Sequence, residues 1–260
     1  MKIRPAAVAD MFYTANGVEL ATQVSNFMNV DEVINIAPKA LIIPHAGYIY
    51  SGSTAGKGFA LTKKLTTTIN KIVLIGPCHR VWIQGLAIPD CQYFETPLGT
   101  IEIDSKTLKK LAKFPQVVIS DQAHAQEHSL EVQLPFLQLI FPQLKLIPLV
   151  AGEVSEDAFV EVLEYCWGSD ETLIVISSDL SHFLDYDAAI AIDSKTSWAI
   201  ENFEADFINS DMACGSAGIK ALLRVAKNKN LHVKTIHQCN SGDTAGDKDR
   251  VVGYGAYAIY

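Results

Sequence analysis

The sequence predicts an α/β domain with a mixed central sheet flanked by helices on both faces. Three observations carry that prediction. Short apolar runs at Ala40–Ile43, Lys71–Ile75 and Leu173–Ile176 have the length and composition of buried strands. Each run stops at a breaker, respectively Pro44, Gly76-Pro77 and Ser177-Ser178. Segments with helical apolar spacing alternate with the strands, as in layered α/β domains.

Taken in order, Arg4 to Tyr13 reads as an irregular arm and Asn16-Gly17 as a turn. Leu20, Val24, Phe27 and Met28 give Val18–Met28 helical spacing. The strand at Ala40–Ile43 is followed by Pro44, His45 and a glycine-rich stretch, with a helix expected over Ser53–Leu65. After the strand at Lys71–Ile75, another is expected at Gln84–Ile88. Tyr93–Ile103 reads as a hairpin with its tip at Pro97–Gly99. A polar amphipathic helix is expected at Ser105–Phe114 and a short strand at Gln116–Ile119. Leu130, Val132, Leu134, Phe136, Leu137 and Ile140 outline a buried helix in which Pro135 makes a kink or lies in a first turn. The remainder alternates: strand Lys145–Val150, helix Glu156–Trp167, strand Leu173–Ile176, helix Tyr186–Glu201 with a further helical piece to Asn209. A helix opened by Cys214-Gly215 then runs to about Lys227. Strands at Val233–His237 and Val251–Ile259 close the chain, joined by the turn-rich Cys239–Asp247. No repeat or linker divides residues 1–260, so one domain is expected.

Composition narrows the function. Apolar residues make up 49% and charged residues 19%, as in a globular protein with a large interior. A net charge of −8 with scattered lysines argues against a nucleic-acid surface. No run approaches a membrane span. Five widely spaced cysteines without a CxxC pair argue against a disulfide framework, and so for a reducing cytoplasm.

The chemistry gathers at the strand ends. His45, His79 and His182 each follow an apolar strand and its break, where open α/β sheets bind ligands. A single such histidine can be a surface imidazole on a capped turn; three point to a shared polar pocket. His45 and His79 suit a metal site that draws a third ligand from elsewhere, with a metal-free acid–base pocket and a structural role as alternatives. Asp179 lies close enough in sequence to orient His182 as a base, or it caps the next helix. No GxSxG surrounds Ser177 or Ser178. His124 and His128 are spaced i, i+4 beside Glu127 and Glu131, but the pattern is not HExxH, and His128 is read as a pocket residue. Cys214 at a helix start is either a nucleophile with His182 as base or a small buried residue. Cys239, beside a turn-rich loop, could reach the same pocket. That loop lacks the lysine of a phosphate-binding signature.

Pro44-His45-Ala46-Gly47-Tyr48, Gly76-Pro77-Cys78-His79, Thr96-Pro97-Leu98-Gly99, Glu127-His128-Ser129-Leu130-Glu131, Ser177-Ser178-Asp179-Leu180-Ser181-His182 and Cys214-Gly215 together resemble the Memo family, in the family's order. Ser241-Gly242-Asp243 and Val252-Gly253-Tyr254 fit its microbial members. That family resembles class III extradiol dioxygenases in fold. Those enzymes hold ferrous iron with two histidines and a glutamate and use a further histidine as acid–base. The resemblance implies His45 and His79 as metal ligands, His182 as acid–base and Cys239 at the third ligand position. A thiolate there departs from the dioxygenase pattern, as Asp10 departs from the family's usual glycine. It shifts metal preference towards copper(I), zinc or thiolate-bound iron, and it is oxidisable. The resemblance further implies a radical-SAM partner protein for microbial members, and phosphotyrosine-peptide binding and redox chemistry for animal ones.

The expectation is a cytoplasmic, metal-dependent, dioxygenase-like redox pocket. His45, His79 and Cys239 would hold iron(II), or copper or zinc. His182, aided by Asp179, would move protons, and Tyr48 and His128 would line the pocket around a small-molecule or peptide ligand. The rivals are a binding module without turnover and a cysteine hydrolase built on Cys214 and His182.

Overall fold

The computed structural model describes residues 2–30 and 34–260. The strands among them are β1 (Ile3–Arg4), β2 (Ala40–Ile43), β3 (Lys71–Pro77), β4 (Leu86–Ile88), β5 (Tyr93–Thr96), β6 (Gly99–Ile103), β7 (Val117–Ile119), β8 (Lys145–Ala151), β9 (Thr172–Ser177), β10 (His182–Leu184), β11 (Val233–Asn240) and β12 (Val251–Ile259). The helices are α1 (Gly17–Phe27), α2 (Tyr48–Ala60), α3 (Ser105–Leu111), α4 (Asp121–Ala125), α5 (His128–Glu131), α6 (Leu134–Ile140), α7 (Glu156–Cys166), α8 (Tyr186–Glu201) and α9 (Ser216–Asn228).

These strands form one mixed sheet in the order β1-β5-β6-β8-β3-β9-β2-β12-β10, with β11 also on β12 and β4 bridging β7 and β8. Strands β8, β3, β9 and β2 run parallel and are buried and apolar between their end residues, as strands covered on both faces must be. Strand β12 runs antiparallel to β2. Because β9 lies between β2 and β3, the residues that follow all three strands emerge side by side at one end of the sheet.

Helices cover both faces. Ile42 pairs with Ile176 and so shares its face, while Ile43 points the other way. Gly58 of α2 lies against Ile43, and Gly218 of α9 against Ile176, so the two helices sit on opposite faces. On the α9 face, α8 joins Tyr257 of β12 through the Ser197 hydroxyl at 2.7 Å.

Four departures from the sequence reading bear on the site. Helix α2 begins at Tyr48, not Ser53, and runs into a 3-10 turn at Leu61–Leu65. The expected buried helix around Leu130–Ile140 is broken into α5 and α6, with Pro135 in the first turn of α6. Strand β11 continues through Cys239 to Asn240. The short strand β10 follows directly on the Ser177–Ser181 turn and carries His182.

Candidate metal centre

His45 stands two residues past the end of β2 and is 1% exposed. Its backbone N–H donates to Asp179 Oδ1 at 2.7 Å, and its Nδ1 lies 2.9 Å from Ser177 Oγ. The Ser177 hydroxyl gives its only proton to the Ser129 carbonyl at 2.6 Å and accepts from Gln133 Nε2 at 2.8 Å. It therefore accepts from His45, which must carry its proton on Nδ1 and leave the Nε2 lone pair free. Burial first, then the neighbouring imidazoles, hold His45 well below the usual histidine range.

His79 is set in a similar way from β3. Its backbone N–H donates to Glu127 Oε2 at 2.6 Å and its Nδ1–H to Glu127 Oε1 at 2.9 Å. A carboxylate behind an imidazole fixes the tautomer and turns Nε2 outward, a common arrangement behind metal-ligating histidines. Burial pushes the Glu127 carboxyl up, but the hydrogen bonds from His79 and from the Ser129 N–H outweigh it and bring it to about 2.

Glu127 also caps α5 through Ser129, and the first residue of that helix is His128. The His128 ring stacks on His79 at 4.7 Å between centroids and meets His45 edge-on at 5.5 Å. Phe12 covers it at 4.7 Å. His128 Nδ1 is buried without a hydrogen bond; Glu127 Oε1 is 3.3 Å away but out of line. Burial lowers His128 to about 4. His45, His79 and His128 each present one ligand atom, all within 4.8 Å of one another.

Cys214 reaches this cluster from the start of α9. Its Sγ lies 3.3 Å from His45 Nε2 and accepts the Asp179 N–H at 3.3 Å. Gly215 permits the approach, since a Cβ there would lie 2.7 Å from Ser178 Cβ and 2.8 Å from the Ser177 carbonyl oxygen. Burial, and then the Asp179 charge, push the thiol up to about 12.

The structure brings His45, His79 and His128 together, and it separates other residues that the sequence grouped with them. Cys239 is not in the cluster. Strand β11 stays paired past it, with Cys239 opposite Tyr254, and its thiol turns to Thr54 Oγ1 of α2 at 3.1 Å. Asp179 does not orient His182. Its carboxylate holds the His45 backbone, and burial, against that hydrogen bond, raises it to about 7. Tyr48 turns inward because α2 starts there. Its hydroxyl donates to the Val132 carbonyl at 2.7 Å and its ring packs against Tyr13, Phe27 and Phe136. His182 stays half-buried beside the cluster, lowered by burial and then by His79 after a partial offset from the Leu180 backbone. Glu127, Ser177 and Gln133 had no role in the sequence reading. The adjacency of Glu127 and His128 was the available signal for the first and the strand break at Ser177-Ser178 for the second; nothing local marks Gln133.

A sequence model of the Memo-like protein family matches residues 4–258. Relatives described as MEMO1 family proteins include one from Aquifex aeolicus, 35% identical over 98% of this chain and 98% of its own. Others come from Metallosphaera sedula, 32% identical over 98% of each chain, and Thermoplasma volcanium, 31% identical over 97% of this chain and 96% of its own. A crystal structure of an uncharacterized Escherichia coli K12 protein, JW3007, is similar in fold. Its TM-score is 0.52 at 12% identity, covering 84% of this chain and 98% of that one. No described helix is long and apolar enough to cross a membrane.

Proposed function

The chain belongs to the Memo-like protein family, and on that premise we propose that it works through a metal ion held by His45, His79 and His128. The observation that carries this is the convergence of three imidazole donors within 4.8 Å, two of them with Nδ1 engaged from behind. The donor set fits the ion. Neutral imidazoles suit iron(II), copper and zinc, and the buried, unbonded His128 Nδ1 is the kind of atom that a cation or a rearranged ring satisfies. Cys214 is placed to add a sulfur beside His45. A bound iron or copper would supply Lewis-acid polarisation and one-electron chemistry at any position the protein leaves open.

The chain's own groups have separate tasks in this reading, which is a metal-dependent, dioxygenase-like redox pocket acting on a small molecule. His182, kept neutral by burial, takes a proton from a ligand hydroxyl. Glu127 and Ser177 hold the two imidazoles in the tautomer that presents Nε2. Phe12 shields His128 from water on the side of the N-terminal arm.

Anaerobic loading with iron(II) tests the site. His79→Ala and His128→Ala should each lose most bound iron, and Cys239→Ala should retain it. Equal iron in wild type and His79→Ala would discard the proposal. A second reading draws on the Cys214–His45 contact. Were Cys214 to deprotonate and move onto an ion held by the three imidazoles, the set would close at four ligands, as in structural sites. The pocket would then bind without turnover. A flat oxygen-consumption trace from iron-loaded protein over a catechol panel favours that reading, and consumption that stops in His182→Gln favours the first.

A further inference from the structure

Phe183 follows His182 on β10, and its backbone is unusual. It sits at φ +60°, the left-handed region that bulky L-residues rarely enter. The pairing of β10 with β12 slips at this point, between His182 and Leu184. Such a bulge re-aims a side chain, and bulges gather beside active sites. Here it turns a large apolar ring outward, leaving Phe183 61% exposed with its centroid 5.7 Å from the His182 ring. Burial therefore does not explain why a strained position carries phenylalanine. Strain held at a site edge is reason to look for a ligand.

The second observation is Arg250, whose guanidinium lies over the Phe183 ring at 5.0 Å. The loop that carries it is fastened from below. Tyr186 donates its hydroxyl to Asp243 at 2.5 Å and its backbone N–H to the Lys248 carbonyl at 3.1 Å, and Lys248 Nζ rests on the Tyr186 ring at 4.1 Å. Among the described residues no carboxylate lies within ion-pair distance of Arg250. A guanidinium stacked on a ring keeps the N–H edges of its fork available, and that edge matches a carboxylate.

We propose that Phe183 and Arg250 set the ligand specificity of this pocket, and that the ligand they select is an aromatic carboxylate. The ligand's ring meets Phe183 from the edge that Arg250 leaves open, next to His182, while its carboxylate takes the exposed side of the Arg250 fork. A singly charged group suits the position better than a phosphate dianion, because Asp247 and Asp249 both precede the arginine in its loop. The assignment rests on the reading of the histidine cluster as the reactive end of the same pocket.

The test is a 19F NMR titration of 4-fluorobenzoate into the full-length protein, wild type against Phe183→Asn and Arg250→Gln. Asparagine tolerates the left-handed backbone, so Phe183→Asn should melt no lower than wild type. Its dissociation constant for the probe should rise about tenfold with the lost ring contact. Arg250→Gln should weaken binding about tenfold or more, and uncharged 4-fluorobenzyl alcohol should bind wild type correspondingly less well. Equal affinity in wild type and a folded Phe183→Asn overturns the proposal. So do equal competition by benzoate and cyclohexanecarboxylate, and absence of 4-fluorobenzoate binding to wild type. Iron(II) content of the same samples separates the two readings: normal loading with unchanged probe affinity removes only the specificity assignment. Failed loading with probe affinity still dependent on Phe183 removes only the metal site.

Discussion

One carboxylate supports two of the three clustered imidazoles. Glu127 accepts from the His79 backbone, the His79 ring and the Ser129 N–H, and that last bond caps the turn whose first residue is His128. Glu127→Gln can keep the fold while placing an amide N–H against at least one of these donors. Its metal affinity should fall about 10- to 100-fold, the usual result of losing a carboxylate behind a ligating histidine. Competition with a graded series of chelators measures it, and affinity equal to wild type would show that the tautomer is fixed by something else. At this scale His45 and His79 were legible in the sequence, because a strand ends and a breaker follows. Glu127 was not, since its role exists only where β3 meets α5, 48 residues apart. Cys239 was misleading for a related reason. Whether a strand stops at residue 237 or continues through 240 depends on its partner β12, and the extra residues turn the thiol to Thr54.

At the scale of elements, the turn from Glu127 to Gln133 ties the site together. Ser129 Oγ donates to the carbonyl of Pro77, the last residue of β3, and Gln133 Nε2 to the Pro44 carbonyl just after β2. Glu131 is fully buried. It accepts from Arg4, from the N–H groups of Ala7 and Val8 at 2.8 Å and 3.0 Å, and from the Tyr13 hydroxyl at 2.5 Å. One helical turn thus presents His128 and also anchors the arm whose Phe12 lies on it. Glu131→Gln leaves the Arg4 guanidinium buried without its counter-charge, and should cost about 3–5 kcal/mol. Urea midpoints measure the loss, and early proteolysis before residue 14 would locate it. The sequence outlined a single apolar helix here. Its start is fixed by the Glu127 cap, and its one break falls before Pro135, which lies in the first turn of α6 instead of kinking a longer helix.

For the molecule as a whole, several buried imidazoles are neutral, and this sets the response to acid. His124 donates Nε2–H to the Ala87 carbonyl at 3.0 Å, keeps Nδ1 unbonded, and is lowered by burial to about 4 from an ordinary 6.5. A base depressed in the folded state lets the unfolded chain take the proton first, so its stability contribution is present above pH 6.5 and is lost as pH falls towards 4. His124 alone contributes about 3 kcal/mol to that loss. His45 and His128 act with the same sign. Urea midpoints of the metal-free protein should fall across this window, and His124→Gln should flatten part of the fall; identical profiles would contradict the assignment. The layered plan was legible because runs as apolar as Leu173–Ile176 can only be central strands. The interposition of β9 between β2 and β3 was not, because strand order is decided by how whole layers pack.

The anchoring of the arm also has a consequence for biosynthesis. Tyr13 and Arg4 leave the ribosome 118 and 127 residues ahead of the glutamate that will hold them. At ordinary elongation rates that is a wait of roughly ten seconds, during which the Arg4 guanidinium and the Tyr13 hydroxyl lack the carboxylate that buries them. The histidine cluster is therefore assembled late, after half the polypeptide has been made, and a chaperone that shelters the emerging N-terminus would raise the yield of metal-competent protein more than one that acts on the finished chain.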